Sequence, residues 1–213
     1  MAALPRLLLP TMKAQVSVAS VHGLRQCMEC LGGVGYCENN ENGGLMNIAK
    51  IYRDSLVNPI WEGTVSVIAE DVVRVLTDTR LADGDVLANA FVPWIRKSLD
   101  LCRVDFNDEV LLVEEKLQEI IALVRGAPKK ELLYCGREIL QHLEVITSGV
   151  VLLFDALIAP DDVVREVAVR WIRSNSHSGH GMSKPQFSEE TMLMDKQIFL
   201  GISYTRTASR AKI

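Results

Sequence analysis

The sequence predicts an all-α protein, an antiparallel helical bundle with a second helical subdomain appended. Apolar residues recur at three- and four-residue spacing in one segment after another, and no β alternation of any length competes with them. The breaks between segments fall at Gly, Pro, Asn and Asp, the residues that punctuate helices. At 213 residues and 48% apolar composition, the chain is long enough to bury a sizeable core.

Residues 4–30 read as the first helix, interrupted near Pro10, with Leu8, Val16, Val18, Val21, Leu24 and Met28 as its apolar positions. It ends at a turn with three glycines, Gly32, Gly33 and Gly35. Residues 37–44 are polar and turn-rich, a surface loop before a helical 45–53. Val57-Asn58-Pro59 predicts an extended approach, because the residue before proline avoids the α region. Thr64 suits an N-cap, and Val65, Ile68, Val72, Val75 and Leu76 would then bury one face of the helix that follows.

From residue 83 the pattern stays helical, over 84–101, 110–124, 130–158 and 161–172. The separators are Asn107-Asp108, Gly126-Ala127-Pro128 and Ala159-Pro160-Asp161; the last places proline and acid in a first helical turn. Residues 174–185 are of low complexity and flexible in composition. His177 and His180 lie there without a third ligand, so a solvated loop is the better reading than a metal pair. The organisation expected is 1–80, a helical extension 81–173, and 174–213 as a linker, a short helix and a basic tail.

The formal charge of −4, from 23 basic and 27 acidic side chains, argues against a protein-wide nucleic-acid surface. The five cysteines, Cys27, Cys30, Cys37, Cys102 and Cys135, are expected as reduced thiols in a reducing compartment. Cys27 and Cys30 form a C-x-x-C within a helical run, where buried small hydrophobes are the better reading than a redox or zinc pair. The apolar run 145–158 contains Thr147, Ser148 and Asp155 and falls short of the roughly twenty residues a span requires. No membrane partner is therefore expected.

Two motifs carry the chemistry. The first is Glu29-Cys30-Leu31-Gly32-Gly33-Val34-Gly35-Tyr36, where missing Cβ atoms let a backbone approach a phosphate or a flat ring. The second is Pro59-Ile60-Trp61-Glu62-Gly63-Thr64, with Tyr52-Arg53-Asp54 between the two. Glu62 stands between an aromatic ring and a glycine, just before an apolar helix, where burial would raise its pKa into the range of a working base.

In this order and spacing, the motifs resemble the C-terminal helical domain of the acyl-CoA dehydrogenase family, over about residues 4–76. The family patterns read roughly Gln-x-x-Gly-Gly-x-Gly-Tyr and Ile-Tyr/Trp-Glu-Gly-Thr. Glutamate at Glu29 and tryptophan at Trp61 look most like the adaptive-response, AidB-type branch. The resemblance makes 1–80 the flavin and active-site region. It implies an FAD-dependent oxidation of an acyl-CoA thioester, in which a carboxylate removes the α-proton while a β-hydride passes to the flavin. Glu62 is then the base, Trp61 and Gly63 face the substrate, and Thr64 and Ser66 match positions that contact FAD. Glu29, Gly32 and Gly33 match a turn that touches FAD of a neighbouring subunit, so a homo-oligomer, dimer or tetramer, is expected.

Members of the family carry an N-terminal helical domain and a β domain before this region, so the chain reads as the terminal part of a longer enzyme. The alternative is a non-catalytic helical oligomerisation or interaction module. Other roles compete at single residues. Glu62 would complement a helix N-terminus by about 0.3–1 kcal/mol, Glu29 cannot donate as an amide does, Arg53 and Asp54 read as a structural charge pair, and the glycines suit a tight helix connection. Nucleic acid, associated with the AidB-type branch, is disfavoured by the acidic balance. The C-terminal Ala211-Lys212-Ile213 resembles a variant of the peroxisomal Ser-Lys-Leu address; without that address the expected site is cytoplasmic or mitochondrial.

Overall fold

The computed structural model describes residues 3–38, 47–159, 161–176 and 188–201. Residues 39–44 of the expected loop, Pro160, His177, His180 and the tail with Ala211-Lys212-Ile213 lie outside the described residues. The described residues contain helices and no strand: α1 (Ala3–Cys30), α2 (Gly33–Tyr36), α3 (Ile48–Ser55), α4 (Val65–Leu76), α5 (Val92–Cys102), α6 (Asn107–Gly126), α7 (Lys129–Tyr134), α8 (Gly136–Ile158), α9 (Asp162–Ser176) and α10 (Glu189–Leu200). The all-α class predicted from periodicity is the class observed.

Helix α8 is the centre, packed against α1, α4, α5, α6, α7 and α9. Its Leu140, Leu143, Ile146, Val150 and Leu153 are buried in one continuous core with Val72 and Leu76 of α4, Ile95 and Leu99 of α5, Val113 and Leu117 of α6, and Ile172 of α9. The motif-bearing helices and the extension therefore share a core. Glu109, buried at the start of α6, receives Arg173 of α9 at 2.9 Å from Nε and 2.6 Å from Nη2, which ties those two helices together at one end.

Several local expectations are corrected. Pro10 lies inside α1 without interrupting it. The stripe α1 buries is Ala3, Leu7, Thr11, Ala14 and Ser17, and the expected core residue Val16 is exposed, as are Leu9 and Met12. Buried hydroxyls are tolerated because Thr11 donates to the Leu7 carbonyl at 2.8 Å and Ser17 to that of Ala14 at 2.9 Å. Residues 56–62 are a run of turns rather than an extended approach, with Ile60 and Trp61 amides both donating to the Val57 carbonyl. The stretch 130–158 is two helices, divided at Cys135. A π-helical turn, Leu87–Phe91, precedes α5, next to Pro93, which has no N–H to give the ladder. Cys27 and Cys30 are exposed, not buried, and no disulfide forms among the five cysteines.

At 23 residues, α8 is long and apolar enough to cross a bilayer by length and composition, contrary to the sequence expectation, yet half of its most apolar window is buried within the fold. Its role here is that of a core helix.

Candidate functional site

The second motif forms a sharp corner leading into α4. Glu62 has φ 56° and Gly63 φ 111°, two successive residues in the left-handed region that favours glycine. Thr64 then caps α4 in extended conformation, its Oγ1 accepting from the Val67 amide at 3.4 Å. A side chain from another helix fixes this corner. Lys13 of α1 donates from Nζ to the carbonyl oxygens of Trp61, at 2.7 Å, and Gly63, at 2.8 Å. Pro10, Lys13, Glu62, Gly63, Asp71 and Arg74 line a cleft of about 310 Å³ there.

Glu62 and Trp61 are both exposed, Trp61 at 57%. The burial expected of Glu62 is not supplied by the described residues, because the turned approach puts its side chain at the mouth of the cleft. Ser66, in the first turn of α4, accepts from Arg137 of α8, at 3.2 Å from Nε and 2.9 Å from Nη2. Gly136 makes that reach possible: a Cβ on it would stand 3.1 Å from the Ala69 Cβ, so α8 begins close against α4.

The first motif ends α1. Glu29 is exposed and paired with Arg25 at 2.8 Å, one helical turn back. Gly32 has φ 62°, and a Cβ built on Gly32 or Gly33 meets nothing within 4 Å. Gly35 is different: its Cβ would lie 2.2 Å from the Met28 carbonyl oxygen, so α2 folds back on α1 only without a side chain there. Between the motifs, Arg53 pairs with Asp54 at 3.7 Å, as expected of a structural charge pair, and more closely with Glu38 at 2.8 Å.

The two motifs do not converge. Sixteen residues of α1 separate Lys13, bonded to the Glu62 corner, from Glu29, which at 1.5 Å per residue is about 24 Å. Within one chain, the structure brings Trp61, Glu62, Gly63, Thr64 and Ser66 together and leaves Glu29, Gly32 and Gly33 apart. Lys13 and Arg137 were missed in the sequence because their partners lie 48 to 71 residues away.

A larger groove of about 600 Å³ lies elsewhere, between α1, α8 and α9, lined by Met12, Val16, Trp94, Val151 and Trp171 and by the polar Glu144. None of the residues singled out by motif lines it. Burial pushes the Glu144 carboxyl above the usual carboxylate range, and likewise pushes the imidazole of His142, two residues earlier on α8, below its ordinary value. No group of three or more acidic, Cys or His side chains able to hold a metal occurs among the described residues.

Residues 2–77 match the family described as acyl-CoA dehydrogenase, C-terminal domain. The chain is 32% identical over 148 residues to "Putative acyl-CoA dehydrogenase AidB" of Escherichia coli (strain K12), covering 70% of this chain and 23% of that protein. It is 36% identical over 72 residues to "Acyl-CoA dehydrogenase family member 11" of Caenorhabditis elegans, covering 34% of this chain and 11% of that protein. The aligned part thus spans about a quarter or less of these relatives' own length. No solved structure matches the chain.

Proposed function

The chain belongs to the acyl-CoA dehydrogenase family through its C-terminal-domain segment, AidB-like in its relatives, and from that premise we propose that it forms part of an FAD-dependent enzyme oxidising acyl-CoA thioesters. The observation that carries the reading is the Glu62 corner, a carboxylate held in a left-handed backbone conformation at the lip of a cleft. Strained non-glycine positions persist where surroundings over-determine them, and they cluster at functional sites.

The residues present fit a dinucleotide's polar groups. The first turn of α4 offers amide donors and a positive dipole end, and the Ser66 hydroxyl and Arg137 guanidinium stand beside it. Gly32 and Gly33 leave open space above their backbone for a flat group. In this reading Thr64 and Ser66 hold FAD from one subunit. Glu29, Gly32 and Gly33 touch it from another, which reconciles two motifs about 24 Å apart and makes an oligomer part of the proposal. When bound, FAD supplies the hydride acceptor. Glu62 removes the α-proton of the thioester, the Gly63 backbone faces the substrate, and Trp61, exposed here, covers the acyl chain and excludes water.

A second reading, a non-catalytic helical interaction module, is favoured by the exposure of Glu62 and by the engagement of Ser66 with Arg137. The discriminating assay is acyl-CoA-dependent reduction of an artificial electron acceptor by the FAD-loaded protein. Turnover that Glu62→Gln lowers at least about a hundredfold, the usual worth of a positioned base, supports the enzyme; an inert loaded protein supports the module. The Ala211-Lys212-Ile213 terminus extends the proposal to the peroxisomal matrix, tested by whether a fluorescent fusion loses that location when the tripeptide is deleted.

A further inference from the structure

Lys13 is half-buried on α1, and its ammonium reaches the carbonyls on both sides of Glu62: Trp61 before it and Gly63 after it. Among the described residues, no other side chain from another helix hydrogen-bonds to residues 61–63. Glu62 itself, with φ 56°, occupies a region that costs an L residue energy and that a bulky side chain enters only when held. The corner must also deliver Thr64 to its capping position on α4, so a rotation at Glu62 would move the carboxylate and the helix start together. Charge-assisted donors make stronger bonds than neutral ones, and two from one ammonium fix an orientation as well as a distance.

From this geometry we infer that Lys13 is the positioning residue of the Glu62 site: its two bonds hold the Trp61–Gly63 backbone in the left-handed turn and thereby set where the Glu62 carboxylate stands in the cleft. The inference rests on the proposed reading for its catalytic meaning, because only there is Glu62 the base. The backbone claim stands without it. A neutral side chain of similar length, methionine, fills the space beside Pro10 and donates nothing. Arginine restores a cation able to donate to two carbonyls.

The test is native-state cleavage by a glutamyl endoprotease at Glu62–Gly63, in the wild-type chain, Lys13→Met and Lys13→Arg, with the urea midpoint of each measured alongside. Cleavage reports the population of locally opened chain when opening is fast. Lys13→Met is expected to speed cleavage at Glu62 at least about tenfold while cleavage after Glu29 keeps its rate, and Lys13→Arg to return the Glu62 rate to near wild type. An unchanged Glu62 rate in Lys13→Met, an equal rise at both sites, or no rescue by arginine would overturn the inference. Should Lys13→Met not fold, Lys13→Leu, which also donates nothing, replaces it with the same expectations. The readout involves neither flavin nor thioester, so failure here leaves the FAD reading standing, and a chain that binds no FAD leaves this result intact.

Discussion

Arg137 donates from both Nε and Nη2 to the hydroxyl of Ser66, joining the first residue pair of α8 to the first turn of α4 across 71 positions of sequence. This contact links the extension to a residue that family resemblance assigns to flavin. Both partners are on the surface, so the bonds contribute only about 0.5–1 kcal/mol to stability. Arg137→Ala and Ser66→Ala are each expected to lower the unfolding free energy by that amount in urea. The double variant should lose no more than either single one, because both remove the same interaction.

The glycines of the first motif separate by cause. Gly35→Ala drives a Cβ to 2.2 Å from the Met28 carbonyl oxygen and is expected to be the most destabilising, by more than about 2 kcal/mol. Gly32→Ala meets no atom but must hold φ 62°, costing about 1 kcal/mol. Gly33→Ala meets no atom and needs no positive φ, so its stability should stay within about 0.5 kcal/mol of wild type. A loss of FAD retention in Gly33→Ala at unchanged stability would then report on ligand contact rather than on folding.

Glu109 is buried on α6 and receives both bonds from the half-exposed Arg173 of α9. Arg173→Met takes the guanidinium away from a buried carboxylate, and the expected cost is about 1–3 kcal/mol, that of leaving a buried acceptor without its donor. Thermal unfolding checks it. Replacing both partners together, as Glu109→Leu with Arg173→Met, should recover most of the loss.

Stability should fall on both sides of a mid-range optimum. Burial raises the Glu144 carboxyl, so its folded form is the more readily protonated: the favourable contribution is complete below its ordinary value of 4.5 and is lost as pH rises through the folded value. Burial lowers the His142 imidazole despite the nearby Glu119 carboxylate, so stability present above 6.5 is lost as pH falls through its folded value. Glu144→Gln should therefore raise the urea midpoint at pH 8 and leave it unchanged near pH 4. His142→Gln should flatten the acid limb below pH 6.5.

How much of this was legible follows from locality. The buried face of α4 was readable, because Ile68, Val72, Val75 and Leu76 repeat at helical spacing and all are buried. The first helix was readable in extent but not in orientation. It hides Thr11 and Ser17, whose hydroxyls bond backward within the helix, and exposes Leu9, Met12 and Val16, so apolar periodicity points the wrong way. The motifs were legible as a pattern, since their order resembles that of the acyl-CoA dehydrogenase C-terminal domain, whose family description residues 2–77 match. Their arrangement was not: the left-handed φ of Glu62, the Lys13 bridge and the separation of the two motifs all depend on helices packed after distant segments meet.

In the proposed reading, the Glu62 corner of one subunit and the glycine turn of another form a flavin site. That reading is tested most directly by the visible absorption spectrum of the purified chain after incubation with FAD and removal of free flavin by gel filtration. Flavin bands that elute with a helical oligomer and weaken in Gly33→Ala and Ser66→Ala are expected. A folded, helical protein that elutes free of flavin would contradict it.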